Sequence, residues 1–424
     1  MVYRGKSLVL AIIPIVLSLP FLAMAPFKVW IGLLAYCLFM WDSILGLRPK
    51  GIEKHIDLQN MYMMHGMIAI AAVGFGLLHK EISHLHGLAG DIGDIAMTIA
   101  IVGTGLALVL LTSQVGRVIP ILKAPLCWIQ RLCQRFFITR EVNVWLHMLA
   151  PVIVVLLVLH VLFIPEYSQN SSFMMLFLGY FIVFVACYLY LGVYKKLATT
   201  TYQVKEVIQQ GNGAYELVMT YEKGKKLCHL QGGQFIFIHT KESQFAEYHP
   251  FSVLAIDGNK AEEIHLGIRE SGDYTKKLAH IKPEEKVKVR GVYGHFTKKH
   301  IKQEYVVAIG GGIGITPCMS LMQSVNEIQK GVLIWSVHDQ NDVMFKEELQ
   351  KLKATHPNIK VVIHSSREQG HLNKASLIEY IGKDRLLNSS IFICGPDAMT
   401  DAILKNLHDL HVNNKNIISE GFIF

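Results

Sequence analysis

The stretch MHGMIAIAAVGFGLLHK, Met64 to Lys80, is apolar enough to lie in lipid, yet it carries His65 and His79. Ionisable side chains inside a membrane helix are expensive and usually functional. A second run, VWLHMLAPVIVVLLVLHVLF, repeats the arrangement with His147 and His160. With both helices starting at the same face, His65 and His147 share one depth and His79 and His160 another, about 20 Å away. Any one of them could be an isolated buried histidine or a proton-relay group. Four at paired depths favour bis-histidine ligation of two stacked haems, because a neutral imidazole nitrogen is a good ligand for haem iron.

Helix phase tests this pairing. The spacing of His65 and His79 misses whole turns by about 40°, so they share a face, whereas that of His147 and His160 misses by about 140°. Pro151 cannot donate a hydrogen bond to the carbonyl of His147, so a kink or π-like distortion there is expected to re-phase the fifth helix. Gly66, Gly74 and Gly76 are expected to admit a flat macrocycle against the third.

Around these two runs the first half of the chain is apolar throughout. Six segments are long enough to span a bilayer: 7–25, 28–46, 58–79, 92–112, 142–163 and 173–194. The first also resembles a signal peptide ending in Ala23-Met24-Ala25, but Pro26 directly after it argues that the segment is retained. Arg4, Lys6, Arg48, Lys50, Lys54, Arg117, Lys123, Arg131, Arg135, Arg140, Lys195 and Lys196 all fall on one side. The other side has Lys28 and Lys80 with Glu81, Asp91, Asp94 and Glu166. The excess of positive charge puts the N terminus and everything after Lys195 in the cytoplasm of a multi-pass cell-membrane protein. The basic, aromatic stretch from Ser113 to Glu141, with Trp128, reads either as an interfacial helix or as a solvated connector.

Composition agrees with a chain of two characters. Of 424 residues 51% are hydrophobic and 17% charged, and the apolar excess ends near Lys195. The net charge of +8 is mostly accounted for by residues flanking the apolar runs, so no nucleic-acid partner is expected. The seven cysteines are scattered, with no iron–sulfur spacing and no sign of a disulfide framework.

From Thr200 short β-rich runs follow one another: YELVMTYE, QFIFIHT, FSVLAI, IHLGIR and VKVRGVYG. Gly-Asn-Gly and Asp-Gly-Asn turns separate some of them, the signal of an antiparallel barrel. After Lys302 strands and helices alternate, with a helix expected from Pro317 and another around Phe345–Lys353, as in an α/β unit with a parallel sheet. At the first strand–helix turn lies AIGGGIGITP, and at the end of a later strand lies ICGPDAM. Glycines let backbone approach a pyrophosphate, and the following helix N terminus favours its charge.

These features together resemble the NADPH oxidase and ferric reductase family, in which a transmembrane bis-haem domain is fused to a ferredoxin–NADP reductase-like module. The resemblance rests on the paired histidine spacings, on HPFS at His249 to Ser252, on IRESGDYT at Ile268 to Thr275, and on the GGGIGITP and CGP motifs. It implies three domains: a six-helix haem domain (1–197), an FAD-binding β-barrel (198–300) and a Rossmann-like NAD(P)-binding α/β domain (301–424). His65, His79, His147 and His160 would ligate two b-type haems. His249, Pro250, Phe251 and Ser252 would line the flavin, the Ser252 hydroxyl reaching its N5. Arg269, Gly272 and Thr275 would hold the FAD pyrophosphate. Gly310, Gly311, Gly312, Gly314, Thr316 and Pro317, with Cys394, Gly395 and Pro396, would bind NADPH or NADH. Cys394 would lie near the nicotinamide, and Phe424 would cover the flavin. Tyr274 stands where a tryptophan is common. The 2′-phosphate site is weak, with Ser336, His338 and Arg367 beside Asp339, and leaves the nucleotide preference open.

The expected activity passes electrons from cytosolic NAD(P)H through FAD and the haems to molecular oxygen outside, giving superoxide, without an obligatory activator protein or calcium. A ferric or cupric reductase is the alternative, with His84 and His86 as metal-facing residues. A transporter with a nucleotide-sensing domain is a third reading, distinguished by a lack of haem absorption.

Overall fold

The computed structural model describes residues 4–53, 55–56, 58–110, 128–129, 147, 150–241, 243, 248–257, 261–326 and 328–421. Phe424, most of the basic connector after Leu110 and the start of the fifth apolar segment lie outside them. The chain forms two compact units, essentially residues 3–194 and 195–424.

The first unit is helical: α1 (Arg4–Ser18), α2 (Phe27–Gly46), α3 (Leu58–Ser83), α4 (Leu88–Leu110), α5 (Pro151–Leu162) and α6 (Ser171–Leu197). Four of these, α2, α3, α4 and α6, are long and apolar enough to cross a membrane. The first expected span is instead broken, α1 giving way to a 3-10 turn at Leu19–Ala23. Pro14 inside α1 leaves the carbonyl of Leu10 without its helical donor. The Trp41 indole of α2 supplies one, donating to Leu10 O at 2.8 Å. Of the fifth span, α5 is its described part. α2 packs against α3 and carries the buried core of the unit. By contrast Met67, Ile70 and Leu78 of α3 and Ile95, Ile101 and Val102 of α4 are exposed, as lipid-facing side chains would be.

The second unit begins with a closed antiparallel barrel. Its strands are β1 (Thr200–Gly211), β2 (Ala214–Lys223), β3 (Phe235–His239), β4 (His249–Asp257), β5 (Glu263–Arg269) and β6 (Lys286–Tyr293), in the order β1-β2-β5-β4-β3-β6. Asn212 and Gly213 turn β1 into β2 with positive φ at both, the twist that suits a tight hairpin. The short helix α7 (Asp273–Leu278) follows β5. Then come five parallel strands, β7 (Tyr305–Gly311), β8 (Lys330–Val337), β9 (Ile359–Ser365), β10 (Ser389–Gly395) and β11 (Ile417–Gly421), in the order β11-β10-β7-β8-β9. The helices α8 (Ile315–Met322), α9 (Lys346–Thr355) and α10 (Asp397–Asp409) cover this sheet among others. Barrel and sheet share a core, since Ala214, Leu254 and Phe296 cluster with Ala308, Met319 and Trp335. Strands β1 and β11 have no counterpart in the sequence reading: β1 is largely polar, and β11 is a five-residue edge.

Candidate functional site

Because the chain adds β8 and β9 on one side of β7 and then returns to add β10 and β11 on the other, strand order reverses between β7 and β10. That reversal opens a crevice at the carboxyl ends of the two strands, where open α/β sheets bind ligands. Both nucleotide motifs fall there. The Gly310–Gly314 turn ends β7, Cys394 pairs with Gly310, and Gly395-Pro396 ends β10.

The two turns approach too closely for side chains. A Cβ on Gly314 would overlap the Cys394 carbonyl, one on Gly310 would lie 2.8 Å from Ile315 Cα, and one on Gly395 would lie 3.0 Å from the Gly311 backbone. Gly312 takes φ +54, and its carbonyl accepts a 3.0 Å hydrogen bond from the Trp335 indole. The helix begins at Ile315, two residues before Pro317, with Thr316 and Pro317 buried in its first turn. The Thr316 hydroxyl donates to Ile313 O at 3.0 Å, which fixes the turn.

Across the crevice stands the barrel. The Arg269 guanidinium at the end of β5 reaches the Gly312 turn, 3.7 Å from where a Cβ would be. On β4 the His249 ring stacks on Tyr274 at 3.8 Å, Phe251 lies 6.3 Å from the same ring, Pro250 is half-buried beside them, and Ser252 is buried. So Tyr274 does join the aromatic face that HPFS presents. Thr275 accepts the backbone N–H groups of Ser271 (2.9 Å) and Gly272 (3.1 Å). Its hydroxyl therefore closes the loop that precedes α7, shaping the backbone of Gly272 rather than standing free. Burial, reinforced by Cys318 and Glu420, pushes the Cys394 thiol well above its ordinary value, so it is a neutral small group and not a thiolate nucleophile. Glu420, in register with Cys394, accepts the backbone N–H of His295; nothing in the sequence pointed to it. Beyond β8, the Asn341 N–H and the Arg367 guanidinium (2.8 Å) hold the Asp339 carboxyl below the usual range.

In the helical unit the four histidines meet in two pairs. His65 Nε2 stands 3.2 Å from His147 Nε2, and the His79 and His160 rings are 6.4 Å apart and nearly perpendicular. The described helix of the fifth segment, α5, begins at Pro151. The carbonyl of His147, which Pro151 cannot serve, accepts from Ala150 N–H at 3.1 Å, a tighter i→i+3 turn.

Each ring with a visible Nδ1 partner is anchored through that atom, and three of these partners escaped the sequence reading. Asp42 of α2, a buried carboxylate, faces His65 Nδ1 at 2.7 Å. His79 Nδ1 donates to Lys28 O at 2.8 Å, and His160 Nδ1 donates to Ala89 O at 2.7 Å. Glycines make room for the rings. A Cβ on Gly32 or Gly93 would come within 2.9 Å of His79 or His160, and one on Gly46 within 3.6 Å of His65. Of the glycines expected to admit a macrocycle against α3, Gly66 and Gly74 have open space, with nothing within 4 Å of a Cβ, whereas Gly76 packs on the Met97 thioether. His84 and His86 are exposed in the turn between α3 and α4.

The chain matches the FAD-binding domain family over residues 203–316 and the oxidoreductase NAD-binding domain family over residues 308–405. It is 24% identical over 208 residues to flavohemoprotein A of Dictyostelium discoideum, covering 48% of this chain and 49% of that protein. It is 28% identical over 127 residues to NADPH oxidase 1 of Mus musculus, covering 29% of this chain and 20% of that one. The chain thus spans half or less of these relatives. Among solved structures, the FAD/NAD-binding domain of nitric oxide dioxygenase from Vibrio cholerae superposes with a TM-score of 0.46 at 20% identity, over 53% of this chain and 98% of that one. The chain is therefore an oxidoreductase with FAD-binding and NAD-binding domains, similar over part of its length to NADPH oxidase 1.

Proposed function

We propose that this protein is a transmembrane NAD(P)H oxidase of the cell membrane that releases superoxide on the outer side. When bound, FAD would take the hydride of cytosolic NAD(P)H, and two b-type haems would carry single electrons across the bilayer to molecular oxygen. The observation that carries the reading is the anchoring of the histidines. A metal-ligating imidazole almost always donates its second N–H to a carboxylate or backbone carbonyl. His79 and His160 each have such a partner at Nδ1, the His65 Nδ1 faces the Asp42 carboxylate at 2.7 Å, and His65 and His147 turn Nε2 toward each other. The donor types therefore suit two bis-imidazole centres held by His65 with His147 and by His79 with His160, the His65 and His147 rings, whose Nε2 atoms lie 3.2 Å apart, having to part to take one.

In the dehydrogenase unit, Gly310, Gly311, Gly312 and Gly314 would offer backbone N–H groups to the nucleotide pyrophosphate, and Gly395 and Pro396 would bound the same crevice. Cys394 would lie against the nicotinamide as a neutral group. His249, Phe251 and Tyr274 would line the flavin region, Ser252 would meet its N5, and Arg269 would pair with the FAD pyrophosphate as a planar fork. Arg367 would be the cation available to a 2′-phosphate, which would have to draw it from Asp339. Positive charge on one side of the helices supports a cytoplasmic dehydrogenase and a His65–His147 level near the inner face.

The deciding experiment is NAD(P)H-driven cytochrome c reduction by the purified protein, with and without superoxide dismutase. Inhibition by dismutase is expected. Dismutase-insensitive reduction with preference for ferric chelates would replace this reading by the ferric reductase one, which the exposed His84 and His86 favour.

A further inference from the structure

The two histidine levels differ in what stands behind the rings. At the His79–His160 level the visible Nδ1 partners are all neutral, Lys28 O and the Ser83 hydroxyl (3.1 Å) for His79 and Ala89 O for His160. At the other level the partner of His65 is the carboxylate of Asp42, only 6% exposed and inside a helix long and apolar enough to cross a membrane. Of the cations that follow α2, Arg48, Lys50 and Lys54, Arg48 sits over the Tyr62 ring at 5.3 Å. A charged residue kept in such a helix is costly and needs a purpose.

We infer that Asp42 is a positioning residue that makes the His65–His147 centre the more strongly reducing of the two. The inference rests on the bis-haem reading. A carboxylate 2.7 Å from Nδ1 raises the basicity of the imidazole and favours the oxidised, more positive iron. A carbonyl dipole does this less, and in low dielectric the difference is poorly screened. Electrons run from the lower to the higher potential, so unequal partners give a downhill order from the His65–His147 level to the His79–His160 level. The chain would then set the direction of transfer within the membrane by one side chain on α2, and not by the axial ligands, which are all histidine.

The test is a spectroelectrochemical titration of full-length, haem-loaded protein, comparing wild type with Asp42→Asn and Asp42→Glu, and with His79→Ala to identify the remaining centre. Two resolved midpoints are expected in the wild type. In Asp42→Asn the lower one should rise by a tenfold change in its reduction equilibrium, about 59 mV for one electron. The upper midpoint should stay in place, and Asp42→Glu should resemble wild type. Unmoved midpoints, or movement of the centre that His79→Ala removes, would overturn the inference. If Asp42→Asn loses a haem, Asp42→Ser decides: retention of the haem at an unchanged potential would mean that Asp42 only holds the ring. Wild-type protein without haem absorption would instead defeat the bis-haem reading itself.

Discussion

The two units hold their functional groups in opposite ways. In the helical unit the proposed chemistry rests on rare polar side chains set into apolar helices, with Gly32, Gly46 and Gly93 making room for them. In the dehydrogenase unit it is carried largely by backbone, at turns where any Cβ would collide with the neighbouring turn. The difference follows from the solvent. A lipid-facing helix satisfies its own backbone, so only side chains remain to bind anything. A strand end leaves backbone N–H groups unpaired and aimed at a crevice.

The contrast can be broken hardest at His147. Replacing it by alanine should remove one of two haems and bring NAD(P)H-driven reduction at least about 100-fold down. Pyridine haemochrome stoichiometry checks this, and retention of both haems would end the pairing of His65 with His147. The next largest effect should come from Gly32→Ala, since the new Cβ would meet the His79 ring at 2.9 Å. Haem affinity at that level is expected to fall roughly 10- to 100-fold, while Gly66→Ala, in open space, should leave it unchanged. Equal effects of the two substitutions would mean that the rings are not what these glycines accommodate.

On the dehydrogenase side Gly314→Ala forces a Cβ onto the Cys394 carbonyl. An overpacking cost of about 1–3 kcal/mol should raise the KM for NAD(P)H about tenfold without loss of bound flavin. An unchanged KM would show that the turn can shift freely.

The smallest effect concerns His265 on β5, ringed by the carboxylates of Glu216, Asp257 (3.1 Å) and Glu263 (3.2 Å). Burial alone would lower its pKa, but the bond to Glu216 and the charges of all three acids outweigh that and raise it above the ordinary 6.5. A raised folded value means that the stabilisation is complete below the unfolded pKa and is lost as pH rises through the folded one. Thermal stability of the flavin-bound unit should therefore decline above about pH 6.5, and His265→Gln should flatten that slope. An identical pH profile in both proteins would refute it.

Much of this was legible because the signals are local. HPFS, IRESGDYT, GGGIGITP and CGP each specify a turn or strand end through their own backbone demands, and the five barrel runs read from alternation lie within β2 to β6 or extend one residue past their ends. The polar β1 and the brief β11 were not legible, since they are strands only because neighbours pair with them. The first apolar segment read as one span, yet Pro14 and the 3-10 turn interrupt it. Asp42 passed unnoticed because a lone acid in an apolar run says nothing until its partner is known.

By itself the sequence determined which residue types must be hidden from lipid and where backbone must bend sharply, because hydropathy and glycine are properties of single positions. Only the tertiary structure decided that Asp42 stands behind His65, that Gly32 and Gly93 lie against the His79 and His160 rings, and that Glu420 lies beside Cys394. Those are contacts between helices or strands far apart in the chain. No spacing rule along one element can supply them, since they depend on how two surfaces pack.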